Sequence, residues 1–232
     1  MYHLVLVEIL KLKRTKIFSL FIFMNIFTLL STAFYLLSLS STNWSRVMSY
    51  ITIAINLFPG PFLFGYMSSV ILIREYNEEK TILYHAYPYK LASFYVSKLI
   101  TVFMMIISSL FFIISGFLLL FFFLANTSFK SEYFFQSFSL GFQMVLCQIS
   151  LAMISITFTL MFKSFLAGLS VVFVGQSLAI IHLVADLQFF NPYFTSLMIE
   201  KLHSPFELIK VFILGILGAF ISYWLYARLE KK

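Results

Sequence analysis

Cysteine is almost absent from the chain. Cys147 is the only one, so a single copy cannot build a disulfide or a cysteine-ligated zinc site. It sits inside an uncharged apolar run, the setting of a small buried residue. Charge is scarce as well: 11% of the 232 residues are Asp, Glu, Lys or Arg, where a soluble domain carries about a quarter. Hydrophobic residues make up 61% and aromatic residues 20%, with a mean hydropathy of +0.97. That balance excludes a soluble globular domain and describes a protein that crosses a membrane several times.

Acids are the rarest charges, 9 against 16 Lys and Arg, and none lies within the long apolar runs. Without intramembrane acids there is no pair to act as acid and base or to carry a coupling ion. An ion-coupled carrier is further disfavoured because the chain has no inverted pair of broken spans. HExxH and GxSxG are missing. Glu78 and Glu79 resemble the paired glutamates of some membrane proteases, but they fall in a charged loop without a suitably spaced Arg. Gly60 and Gly65 have the spacing of a phosphate-binding loop, yet Tyr66 and Met67 follow where Lys and Ser or Thr are required. No nucleotide is hydrolysed by that route.

The net charge of +7 does not indicate nucleic acid. The basic residues gather at the ends of apolar runs and form no stripe interleaved with exposed aromatics. They read as membrane orientation signals. Phe is abundant, 31 residues in all, and its placement suits lipid contact better than an aromatic substrate path.

The apolar runs predict an all-α membrane protein with six transmembrane helices, at 17–39, 50–73, 99–124, 138–161, 166–185 and 211–227. Residues 1–16 precede them as a short helix lying in the membrane interface and ending in basic residues. A signal peptide does not fit, because the apolar run that follows far exceeds the ~7 to 15 residues of a signal core. In the second span Pro59, Gly60 and Pro61 interrupt the hydrogen-bond ladder and predict a bend or break, a candidate kink in a translocation path or simply a structural one. His182 and Asp186 stand one helical turn apart at the end of the fifth span, where a boundary pair exposed to water is favoured over half a metal site. Residues 186–210, with Asn191, Pro192 and Pro205 among aromatics, suggest extracellular interfacial or re-entrant pieces. Six spans put both termini on one side. Twelve of the 16 basic residues fall on that side and only Arg46, Lys130, Lys201 and Lys210 on the other, which makes the termini cytoplasmic.

The one long charged segment is 74–98. It cannot lie in lipid, where each ionised side chain costs roughly 2.5 to 3.5 kcal/mol. Pro88 suits the first turn of a new short helix whose apolar side carries Leu91, Phe94, Tyr95 and Leu99, with Lys90 and Lys98 left in water. Such a helix is a docking knob for a partner's groove or for the lipid surface.

In Glu75, Thr81, Pro88 and Lys98 this segment resembles the loop between the second and third spans of permease subunits in type-two ATP-binding cassette exporters. That loop runs from an acid, through a small residue and Thr, to a Pro, a short helix and a Lys entering the next span. Lys80 replaces the usual Gly and Tyr89 the small residue after Pro. The interfacial helix, the six spans and the irregular stretch around Pro192 extend the resemblance over the whole chain in layout.

The resemblance implies that Glu75, Thr81, Pro88, Leu91, Phe94 and Lys98 couple the permease to a separate cytoplasmic ATPase. ATP and magnesium then sit on that partner, and this chain carries no cofactor. It also implies a second permease, identical or homologous, in a bacterial cell membrane. Small Gram-positive members without a large external domain suggest an amphipathic or antimicrobial peptide as substrate. A drug or lipid-linked glycan is the alternative cargo. A membrane scaffold that binds its partner without transport shares every hydropathy feature.

Overall fold

The computed structural model describes residues 2–13, 15–38, 44–57, 59–77, 91–124, 131–185, 190–199 and 205–229. These form α1 (Tyr2–Lys13), α2 (Lys16–Ser38), α3 (Trp44–Leu57), α4 (Pro59–Asn77), α5 (Leu91–Leu124), α6 (Ser131–Phe162), α7 (Phe165–Ala185), α8 (Pro192–Leu197) and α9 (Pro205–Leu229). Six stretches are long and apolar enough to cross a membrane: Lys16–Ser38, Trp44–Arg74 over α3 and α4, Ala92–Leu124, Ser131–Phe162, Phe165–Ala185 and Phe206–Arg228. The protein is an all-α membrane protein with six such spans.

Polarity is distributed as lipid requires. Large apolar side chains face outward, among them Phe23, Phe34, Phe111, Phe123, Phe138 and Phe220. The buried positions hold many small or amide side chains, including Thr28, Thr52, Asn56, Ser69, Thr101, Gln148, Ser155, Thr159 and Gln176. Lipid offers such groups no hydrogen bonds, so they turn inward and join helices. The helix at the centre is α6, packed on α9, α4, α7 and α5. More than half of its apolar stretch, 56%, is buried, against 22% for α2 and for α9 at the periphery.

Several elements extend past the expected spans because protein contacts continue them. The fourth-span helix starts at Ser131, where Tyr133 stacks on Trp44 at 4.4 Å and Gln136 accepts a hydrogen bond from the Trp44 indole N–H at 2.7 Å. The third-span helix starts at Leu91, and 91–98 continue directly into it. The separate short helix expected on Leu91, Phe94, Tyr95 and Leu99 is therefore not distinct from the span among the described residues. Phe94, Tyr95 and Leu99 are buried. Their apolar side is used by the bundle itself: the Tyr95 hydroxyl bonds Ser222 and donates to the Ala219 carbonyl of α9 at 3.2 Å.

At the α6–α7 connection Lys163 takes a left-handed conformation, φ 53°. The Ser164 N–H then closes back on the Thr159 carbonyl at 3.1 Å and ends α6. At the other end of α7, Asn191 caps α8 by accepting from the Tyr193 N–H at 3.0 Å, with Pro192 in the first turn. The Tyr193 ring rests on Gly175, and the Asn191 side-chain amide donates to the Gly175 carbonyl at 3.3 Å. Gly175 lies ten residues before the end of α7, about 15 Å along the helix at 1.5 Å per residue. The chain thus folds back beside α7 to about half its length.

Candidate functional site

Proline creates the first candidate site. Pro59 and Pro61 have no N–H to give the carbonyls four residues earlier, so α3 ends at Leu57 and α4 starts at Pro59. Proline is tolerated there because first-turn N–H groups have no intrahelical partner in any case. The freed carbonyls need other donors, and Gln176 of α7 supplies one: its Nε2 lies 2.8 Å from the Asn56 carbonyl and 2.7 Å from that of Leu57. Gln148 of α6 donates to the Asn56 side-chain oxygen at 2.6 Å. Three carboxamides from three helices thus meet at the break, all buried. Gly60 permits the approach, since a Cβ there would come within 2.7 Å of Gln148 Nε2 and 2.8 Å of the Ile55 carbonyl.

Toward the α4 C-terminus the same helices are joined by hydroxyls. Ser69 and Ser155 share a hydrogen bond of 3.0 Å, Thr159 donates to Ser69 at 2.8 Å, and the Gly65 carbonyl accepts from Ser69 at 2.7 Å. Gly168 of α7 lies flat against Thr159 and Ser69. The second piece of α4 is therefore fastened to α6 and α7. At the break, the hydrogen bonds that join it to α6 and α7 among the described residues come from side-chain amides.

The charged segment has its base in the third site. Lys98, expected in water, is 1% exposed. Its ammonium lies 3.3 Å from the Ile71 carbonyl of α4 and 3.9 Å from the Glu8 carboxylate of α1. Burial is explained by α1, whose inward face of Val5, Glu8 and Leu12 packs on the start of α5 and brings a counter-charge with it. Of the other expected coupling residues, Glu75 belongs to the last turns of α4, Leu91 opens α5, and Phe94 is buried in the first turn of α5. Thr81 and Pro88 lie outside the described residues. The two ends of the segment, 74–77 and 91–98, thus belong to helices that run on into the core.

His182 is buried and stacks on Phe194 at 3.8 Å, while Asp186 lies outside the described residues. Burial pushes the Tyr193 hydroxyl above its ordinary value, so it stays protonated. Among the described residues no three His, Cys, Asp or Glu side chains gather as metal ligands. The arrangement joins α3, α6 and α7 at the break and α1, α4 and α5 at Lys98.

Asn56, Gln148, Gln176 and Glu8 are site residues that no sequence motif marks. For the three amides the usable signal is a carboxamide in an otherwise apolar span, which is costly unless partnered; Glu8, an acid outside the spans, carries no such signal.

A family model described as ABC-2 family transporter protein matches residues 4–179, three quarters of the chain, from α1 through most of α7. The chain belongs to the ABC-2 transporter family. It is a membrane permease subunit of an ABC exporter. No curated protein and no solved structure matches it.

Proposed function

We propose that this ABC-2 permease docks a separate cytoplasmic ATPase through 74–98 and forms an export pathway with a second permease. The observation that carries the reading is the base of that segment. Lys98 ties the first turns of α5 to α4 and α1 at once, so a push on 78–90 is delivered to α4, whose other end is the Pro59 break. On this reading Glu75, Thr81, Pro88 and Leu91 meet the ATPase, while Phe94 and Lys98 hold the segment's base. ATP and magnesium belong to the partner, and α8 is a re-entrant element on the external side. The basic-residue asymmetry supports cytoplasmic termini in a bacterial cell membrane. The cargo we infer is an amphipathic or antimicrobial peptide, a choice that rests on the resemblance to small exporters without a large external domain.

The test is an affinity pull-down from mild-detergent membranes of the host, comparing wild type with Leu91→Asp. A nucleotide-hydrolysing subunit should accompany the wild type and be lost with the variant. Co-purification of a second permease would settle the pairing as identical or mixed. Absence of any ATPase from the wild-type eluate would overturn the reading in favour of a scaffold.

A further inference from the structure

On the cytoplasmic half, as the charge pattern orients the chain, a groove of about 460 Å³ opens between α2 and α4. Its volume falls within the ~300 to 1,000 Å³ of small-molecule clefts. Its lining comes from Lys16, Ile17, Ser19, Leu20 and Phe23 of the first turns of α2, and from Tyr66 of α4. The Tyr66 ring packs edge-on against Phe165 at 6.2 Å, which fixes that wall. Polarity changes once along the groove. Lys16 is exposed at its head, and Phe23 lies seven residues further, about 10 Å along the helix.

Lys16 makes no ion pair with a described residue, in contrast to Lys11, which holds Glu8 at 2.9 Å. Among the described residues no acid lines the groove. Glu132 and Glu207 open α6 and α9, which by the order of spans is the opposite end of the bundle, Glu8 is held by Lys11 and Lys98, and the side chains of Glu75, Glu78 and Glu79 lie outside the described ones. The groove is thus cationic at the membrane surface and apolar below it. That is the complement of an anionic amphiphile standing in the bilayer.

We propose that this groove is a binding site for one anionic phospholipid, its phosphate at Lys16 and an acyl chain along Leu20, Phe23 and the Tyr66 ring. A second protein helix would fill the apolar part but would have to bring an acid of its own to face the ammonium. A zwitterionic lipid would bring its own cation to the same rim. The site is separate from the docking segment, and its occupancy does not depend on the ATPase.

The test uses the full chain purified in mild detergent, delipidated, titrated with dioleoylphosphatidylglycerol or dioleoylphosphatidylcholine and read by native mass spectrometry. Wild type should hold one phosphatidylglycerol per chain and prefer it at least fivefold over phosphatidylcholine. Lys16→Gln should reduce the preference below twofold, Lys16→Arg should keep it, and Ser19→Trp should obstruct the groove and lower the affinity for both lipids. Thermal melts of each variant separate lost binding from lost folding. Equal phosphatidylglycerol binding by wild type and Lys16→Gln would overturn the proposal, as would equal affinity for the two lipids. So would a disulfide between Ser19→Cys copies that forms regardless of added lipid, since a second copy would then occupy the groove.

Discussion

Lys98 and Glu8, ninety residues apart in the chain, approach to 3.9 Å with their side chains 1% and 9% exposed. The attraction between them does not by itself stabilise the fold, because desolvating two ions offsets much of it. What it provides is a fixed position for α1 against the root of the charged segment. Loss of one partner leaves the other buried and less satisfied.

The first prediction follows from that asymmetry. Glu8→Ala should destabilise the purified protein by about 1 to 3 kcal/mol, the cost of a buried polar group left short of partners. A double-mutant cycle of Glu8→Gln and Lys98→Met, read by thermal unfolding in detergent, should show a coupling above ~0.5 kcal/mol. Strictly additive losses would mean that the two residues act independently.

The break between α3 and α4 gives the second prediction. Gln176→Leu removes the Nε2 donor and with it both hydrogen bonds to the Asn56 and Leu57 carbonyls. Interhelical hydrogen bonds in membranes average ~0.6 kcal/mol and reach ~1.7, so the loss should be about 1 to 2 kcal/mol. The effect should be local. Hydrogen exchange should speed up in a peptide spanning 55–65 and stay unchanged in the middle of α6. Uniform acceleration across the bundle would indicate that Gln176 holds the global fold and not the break.

The number of spans, their order and the break at Pro59 were legible in the sequence because each rests on a one-dimensional signal. Twenty apolar residues, or a proline within such a run, act locally. The fate of Lys98 was not legible in that way. Charge placed it in water, and only the packing of α1, with Glu8 on its inward face, makes burial tolerable. Phe94 and Tyr95 show the same limit. Their spacing announces an apolar side but does not say whether that side meets a partner or the bundle, and the Ser222 contact on α9 lies 127 residues away from Tyr95. Interior polar residues fall between the two cases: Asn56 and Gln148 are conspicuous in apolar runs, but which one meets which is a property of the folded bundle.

Glycine packing supplies the third prediction through a contrast. A Cβ on Gly168 would collide with the hydroxyls of Thr159 and Ser69 and the Ser155 carbonyl, whereas one on Gly218 would first meet the Met153 carbonyl oxygen at 3.3 Å. Gly168→Ala should therefore cost about 1 to 3 kcal/mol, the range for overpacking. Gly218→Ala should cost clearly less, because the gain in helix propensity, up to ~1 kcal/mol, offsets a milder contact. Thermal melts of the two variants side by side decide it. Equal losses would show that small residues are needed all along these faces and not at the α4–α6–α7 junction in particular.

Orientation in the membrane gives the fourth prediction, and Cys147 makes the experiment clean. The thiol is 1% exposed in the middle of α6, so a membrane-impermeant maleimide should leave the wild type unlabelled in intact cells and in inverted vesicles alike. Lys163 lies in the α6–α7 turn and Gln136 near the start of α6, at opposite ends of one helix, and both are exposed. Lys163→Cys should be labelled only in inverted vesicles and Gln136→Cys only in intact cells, because the basic residues concentrate on the Lys163 side. The reverse pattern would turn the bundle over, place 74–98 outside the cell and remove it as a docking segment for a cytoplasmic ATPase. Labelling of both variants from one side would instead contradict α6 as a span.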